Sequence, residues 1–83
     1  MNCATQISEY EFLYAIGKKL YKATITDPFT FYMTKTLVHT FDRTINFIEI
    51  EENSGNPVVV VFGGDNGIGF LECSNLDNLN DWY

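Results

Sequence analysis

The predicted fold class depends on residues 8–17, which read SEYEFLYAIG. Ser8 and Glu11 have the S-x-x-E spacing of a capping box, in which two side chains satisfy main-chain N–H groups at the start of a helix. The apolar residues that follow recur at every third position, as on the buried side of an amphipathic helix. Gly17 is the residue type that most often ends a helix in the left-handed conformation. The segment therefore predicts a short helix over residues 9–16.

The rest of the chain is rich in β-branched and aromatic residues between turn signals, which favours strands. Asn66-Gly67 lies between two apolar runs and is a strong signal for an antiparallel hairpin. We expect an α+β fold in which the short N-terminal helix packs on an antiparallel sheet of four to five strands. The segments expected to form those strands are residues 20–26, 29–38, 44–51, 58–62 and 68–73.

The alternation of residue types also predicts which side chains are buried. Phe29, Phe31 and Met33 alternate with polar or amphipathic neighbours, which predicts that they share one buried strand face. Residues 58–62 are the most apolar stretch and are expected near the centre of the sheet. At the end of the chain, Leu76 begins an every-third-residue apolar pattern that predicts a short helical turn folding back on the core.

The composition indicates one small folded domain, residues 1–83, because 46% of the 83 residues are hydrophobic and only 19% are charged. Cys3 and Cys73 have no partner at a metal-binding or disulfide-framework spacing, so we expect free thiols and no metal or cofactor. No apolar run is long enough to cross a bilayer, and no leader pattern is present. We therefore expect a cytoplasmic protein with no membrane partner.

The charge balance excludes free nucleic acid as a direct partner, since five basic residues face eleven acids and the net charge is −6. Such an acidic domain suits a basic protein surface, or is simply soluble. An enzyme is not expected either. His39 is the only histidine, and no serine has the companions of a hydrolytic triad.

Acidic clusters and a surplus of aromatic residues are the features that folding alone does not explain. Tyrosine and tryptophan anchor many binding surfaces, and one small core cannot satisfy this many of their polar ends. The residues predicted to contact a partner protein are Tyr32, Glu49, Glu51, Glu52, Asp77 and Asp81.

Residues 8–22 (SEYEFLYAIGKKLYK) resemble the opening of the small phage anti-defence proteins that sequester the cyclic nucleotide messenger of Thoeris immunity. Residues 77–82 (DNLNDW) resemble the acidic Asp-Trp ending of that family. The resemblance implies an oligomer with shared pockets that bind a small anionic nucleotide. It places messenger binding on Lys18, Lys19, Lys22, Tyr14, Tyr21 and Trp82.

Together these observations predict a non-catalytic binding protein, most simply a small phage-type anti-defence inhibitor that acts by occupation. It would either cover a basic host protein surface or sequester the nucleotide messenger, in the host cytoplasm if it is phage-encoded. The alternative is a structural protein that assembles into a homo-oligomer through its sheet edges, for which residues 58–62 are a candidate strand.

Overall fold

The structure, a computed structural model, describes residues 2–83. It shows seven antiparallel strands in two meanders, a four-stranded sheet in the order β1-β2-β3-β4 and a three-stranded sheet in the order β5-β6-β7. No helix occurs in this part of the chain, so the predicted α+β fold is wrong and the protein is all-β. The strands are β1 (Cys3–Ser8), β2 (Glu11–Ile16), β3 (Lys19–Asp27), β4 (Tyr32–Thr40), β5 (Ile45–Asn53), β6 (Asn56–Asp65) and β7 (Ile68–Asn75).

The segment predicted as a helix, residues 9–16, forms the first turn and β2. The Ser8 hydroxyl donates to Glu11 Oε1 at 3.2 Å, so the two side chains bond to each other and not to main-chain N–H groups as in a capping box. The two residues meet across a hairpin turn because they are register partners at the adjoining ends of β1 and β2. Leu13 and Ala15 then belong to the core, and Tyr14 between them lies on the opposite face of the sheet.

The Asn66-Gly67 hairpin prediction is confirmed, since β6 and β7 pair antiparallel on either side of these two residues. Their φ angles are 54° and 78°. Two successive left-handed residues define a type I′ turn, whose twist matches that of the flanking strands. Gly17 is also left-handed, with a φ of 60°, but it opens the turn between β2 and β3 instead of ending a helix.

One core is shared by both sheets. The most apolar strand, β6, runs through the middle of the second sheet, and Val59 and Val61 are fully buried, as predicted. Phe41 joins the core from the segment that connects the two sheets. The buried cluster consists of Leu13, Ala15, Leu20, Phe41, Ile45, Ile48, Val59 and Val61.

The C-terminal segment does fold back on this core, but the predicted helical turn is wrong. Leu76, Leu79 and Trp82 are partly buried against the core cluster through turns and irregular chain. Tyr83 then exchanges two main-chain hydrogen bonds with Cys73 of β7, at 2.7 and 2.9 Å. The segment therefore covers part of the outer edge of β7.

In residues 2–83 the edge of β4 has no covering segment, whereas the edge of β7 is covered in part. β1 and β5, the other two outer strands, lie against each other. The Asn2 side-chain amide joins them by donating to the carbonyl oxygens of Gly17 and Ile45, each at 2.9 Å. Residues 58–62 cannot pair with another copy as predicted, because β6 already has a strand on each side. Within the described residues nothing pairs with the outer edge of β4.

Candidate functional site

The hairpin of β3 and β4, residues 19–40, projects from the core. Of its side chains only Leu20 belongs to the buried cluster, and Val38 packs against it. Six consecutive residues of β4, from Tyr32 to Leu37, are exposed. The hairpin contributes to an elongated molecule whose principal extents are 43 × 30 × 17 Å. Most side chains of the hairpin therefore lie outside the buried cluster.

The loop of this hairpin holds aromatic rings in solvent. Phe29 is 93% exposed, Phe31 71% and Tyr32 70%. The prediction that Phe29 and Phe31 share a buried strand face is therefore wrong. It failed because the strand begins only at Tyr32, so both phenylalanines lie in the loop, and Met33, the third member of that face, is exposed as well.

Side-chain hydrogen bonds fix the loop beneath these rings. Asp27 Oδ1 accepts from the Phe29 main-chain N–H at 3.0 Å, an Asx-turn that follows from the Asp-Pro sequence. The Phe29 bond also lowers the pKa of the Asp27 carboxyl. Thr26 Oγ1 donates to the Tyr32 carbonyl oxygen at 3.1 Å across the loop. The loop at the end of the hairpin is therefore held in one conformation by its own hydrogen bonds.

Phe31 has a φ of 56°, in the left-handed region. Glycine and asparagine adopt this conformation readily, whereas a bulky side chain there is an outlier that costs about 1–2 kcal/mol. Such strain tends to collect at functional sites, where the surrounding structure holds it in place. Here the strained residue is one whose aromatic ring is exposed.

The hairpin is also the basic part of an acidic protein. Residues 19–40 contain three lysines and one acid, Asp27, whereas ten of the eleven acids lie elsewhere. Lys35 projects from β4 on the sheet face that turns away from the core, next to a shallow hollow of about 200 Å³. The hollow is lined by Phe12, Tyr14, Ala23, Met33 and Lys35.

The residues predicted to bind a messenger do not converge on one pocket. Tyr14 and Tyr21 stack with ring centroids 5.3 Å apart. Lys22 directly follows Tyr21 in β3, so its side chain lies on the other face of the sheet. Lys18 lies in the turn before β3 and Lys19 is the first residue of β3, and both are exposed. Trp82 packs edge-on against Phe41 in the C-terminal segment, with centroids 5.2 Å apart.

The residues predicted to bind a protein are also divided between surfaces. Glu49 and Glu51 pair with Val60 and Val58, so the two carboxylates share one face of the second sheet, as the alternation predicted. Glu52 pairs with Pro57 and lies on the opposite face. Asp77 lines a groove between the C-terminal segment and the β3–β4 hairpin, and Asp81 is exposed. Tyr32 alone lies at the hairpin end.

Lys22 forms an ion pair with Glu11, the only one among residues 2–83, with an Nζ to Oε2 distance of 2.8 Å. The hydrogen bond from Lys22 lowers the pKa of the Glu11 carboxyl. The positive charge of Lys22 is therefore already matched by a carboxylate of the same protein. A free anion would have to compete with Glu11 for it.

We expect Lys22→Gln to raise the pKa of Glu11 toward its ordinary value, because the main cause of the lowered pKa is removed. In the wild type the ion pair stabilises the fold above the unfolded-state pKa of Glu11, and this contribution is lost as the pH falls through the folded-state pKa. The stability difference at pH 7 should stay below about 1 kcal/mol, since the pair is exposed. A carbon-detected NMR titration of Glu11 in both proteins measures the shift, and identical curves would contradict it.

Sequence reasoning missed the exposed Phe29 and Phe31 and the lysine at position 35. The signal for the two phenylalanines is Asp27-Pro28. A residue before proline avoids the positive φ that a two-residue hairpin turn requires, so the loop must extend beyond Pro28. Lys35 carried no motif, and its importance comes from its position on an uncovered edge.

Fold and site together define a small all-β protein with a projecting, aromatic-tipped basic hairpin. No protein-family model matches the chain, nor does any curated protein or solved structure. Residues 2–83 bring no three metal-ligating side chains together. Since every described element is a strand or turn, this part of the chain has no helix able to span a membrane.

Proposed function

We propose that the protein is a non-catalytic binding protein that acts by occupying a surface of another protein with the end of its β3–β4 hairpin. The observation that carries the proposal is Phe31, an aromatic side chain that is exposed although its backbone is strained. Aromatic side chains in protein interfaces bury a large area and act as anchors. An inhibitor of this kind needs no catalytic group, in keeping with the anti-defence role that the resemblance implies.

The loop is suited to this role because it is ordered before it binds. Hydrogen bonds from Phe29 N–H to Asp27 and from Thr26 to the Tyr32 carbonyl hold the chain on both sides of the exposed rings. A loop fixed in its bound conformation loses less entropy on association. The projecting shape lets the rings enter a concave surface while the core stays clear of the partner.

The same geometry gives less support to sequestration of a nucleotide messenger. An anionic ligand needs several unmatched positive charges close together, but Lys22 is paired with Glu11 and lies across the sheet from Tyr14 and Tyr21. The acids Glu49 and Glu51, predicted to face a basic partner, lie on the second sheet. We therefore place the main contact on the hairpin end.

Phe31→Gly should separate stability from binding. Glycine adopts a φ of 56° without strain, so we expect the free energy of unfolding to rise by about 0.5–1 kcal/mol despite the added chain entropy. Loss of the Phe31 ring should abolish binding of the partner protein. Urea unfolding measures the first effect, and native mass spectrometry of the protein purified from its own host measures the second.

Phe47→Ala is the matched control, because Phe47 is 53% exposed on the second sheet, away from the hairpin. It should retain the partner. The proposal fails if Phe31→Gly retains a co-purified protein as well as the wild type does. A mass increase equal to one nucleotide would instead support messenger sequestration, and an empty homo-oligomer would support the assembly role.

A further inference from the structure

The uncovered edge of β4 points to a second part of the same binding site. We infer that β4 accepts an extended strand from the partner protein, with an acidic residue beside Lys35 and an apolar residue two positions to either side of it. This inference rests on the proposed function, because it extends the hairpin-end contact along β4. Strand addition to an open sheet edge supplies main-chain hydrogen bonds for affinity and side-chain contacts for specificity.

The register shows which main-chain groups are free for such pairing. The Ile25 N–H donates to the Tyr10 carbonyl oxygen at 2.7 Å, so this residue of β3 directs its main chain toward β2. In an antiparallel strand the direction alternates, so Lys22 and Thr24 direct theirs toward β4. Their register partners are Thr36 and Thr34.

The main-chain N–H and C=O groups of the intervening residues therefore point out of the sheet. These residues are Met33, Lys35 and Leu37, which pair with Ile25, Ala23 and Tyr21 in the register that is not hydrogen-bonded. Their side chains also share the sheet face that turns away from the core. One added strand would meet all three free main-chain positions and all three side chains.

The edge carries few of the features that block unwanted pairing. Proline, charged side chains (lysine above all) and irregularity are the usual protections of an edge strand, and residues 33–37 hold one of them, Lys35. Two register shifts bound this region: one lies at Val38, between the Leu20–His39 and Tyr21–Leu37 pairs, and the other lies at Thr26, between the Ile25–Met33 and Asp27–Tyr32 pairs. Residues 33–37 remain regular.

The charges of the hairpin indicate the chemistry of the occupant. No acid in residues 2–83 lies within ion-pair distance of Lys35. Two copies paired through β4 would bring together two hairpins that each carry three lysines and one acid, which disfavours a second copy. An acidic side chain on an incoming strand would match Lys35, while Met33 and Leu37 on the same face favour apolar residues two positions away.

A blocked synthetic peptide, Thr-Val-Thr-Glu-Thr-Val-Thr, has the inferred pattern, and the same peptide with lysine at its centre is its control. In an NMR titration of the isotope-labelled full chain, the glutamate peptide should shift the amide signals of Met33, Lys35 and Leu37 more than those of Thr34 and Thr36. The lysine peptide should bind at least about tenfold more weakly, since like charges would face each other.

Two substitutions separate the main-chain and side-chain contributions. Lys35→Pro removes an outward N–H without removing a hydrogen bond to β3, and should weaken binding of the glutamate peptide by at least about tenfold. Lys35→Glu keeps the N–H and should reverse the preference between the two peptides. The second variant keeps the test valid if the proline variant does not fold.

The inference is overturned if neither peptide shifts the β4 signals, or if a folded Lys35→Pro protein binds as the wild type does. It is also overturned if those signals move with protein concentration alone, which would make a second copy the occupant. Phe31→Gly leaves residues 33–37 intact. Peptide binding without an effect of Phe31→Gly on the partner would therefore disprove the hairpin-end function and leave the edge site standing.

Discussion

Gly63→Ala should lower the free energy of unfolding by about 3 kcal/mol or more, a large share of the roughly 4–12 kcal/mol expected for a domain of this size. A Cβ atom at this position would overlap the main-chain carbonyl oxygen of Thr44 and lie 2.5 Å from Phe70 Cε1. The carbonyl cannot simply move away, because it accepts the Gly64 N–H at 2.9 Å. The midpoint of thermal unfolding should fall by about 12–24 °C.

The control for this substitution is Gly69→Ala in the neighbouring strand. Gly69 lies opposite Gly64, and its added Cβ would meet only the Gly63 carbonyl oxygen, at 3.3 Å. We expect its stability to remain within about 1 kcal/mol of the wild type. Equal losses in the two variants would show that methyl groups are generally harmful in this hairpin, and that the crossing of Thr44 over Gly63 is not the cause.

The N-terminal helix was the main error of sequence reasoning, and its cause is physical. In residues 12–16 both strand faces are apolar: Leu13 and Ala15 enter the core, while Phe12, Tyr14 and Ile16 lie opposite. An apolar run without alternation fits a helix and a strand equally well. The Ser8 and Glu11 pair did not decide between them, because three-residue spacing also brings side chains together across a two-residue turn.

Other parts of the fold were readable because one local pattern allowed only one structure. Asn66-Gly67 permits two successive left-handed residues, and the β-branched residues of the apolar run in β6 favour a strand with neighbours on both sides. The all-β class was missed because two segments, residues 9–16 and the C-terminal turn, were predicted to be helical. Its arrangement in two sheets depends on Phe41 and on which edges meet, and neither has a signature in the sequence.

The candidate site was less predictable than the fold. The surplus of aromatic residues correctly indicated exposed rings, and Tyr32 does lie at the hairpin end. The prediction of a binding role for Lys22, and none for Lys35, was misleading because the strand register decides which lysine lies next to an acid. Glu11 faces Thr24, which brings it next to Lys22, whereas Lys35 has Ala23 opposite it. A charge count cannot distinguish a matched lysine from an unmatched one.

Trp82→Ala should lower the free energy of unfolding by about 2–3 kcal/mol and also make the protein prone to self-association. The indole packs edge-on against Phe41 at 5.2 Å, and its Nε1–H donates to the Leu79 carbonyl oxygen at 3.2 Å. It is the largest side chain that holds the C-terminal segment on the core. Without it the Tyr83 main chain should leave Cys73, and part of the β7 edge becomes open.

Tyr83→Ala separates the anchor from the edge cover. The Tyr83 side chain is 73% exposed, and its hydrogen bonds to Cys73 are made by the main chain, so its removal should change stability by less than about 0.5 kcal/mol. Chemical unfolding and sedimentation velocity measure the two effects. If Trp82→Ala unfolds earlier but stays monomeric at high concentration, the segment stabilises the core without protecting the edge. Equal losses of stability in both variants would contradict the assignment of the anchor to Trp82, because Tyr83→Ala keeps both the two main-chain bonds and the contact of Trp82 with Phe41.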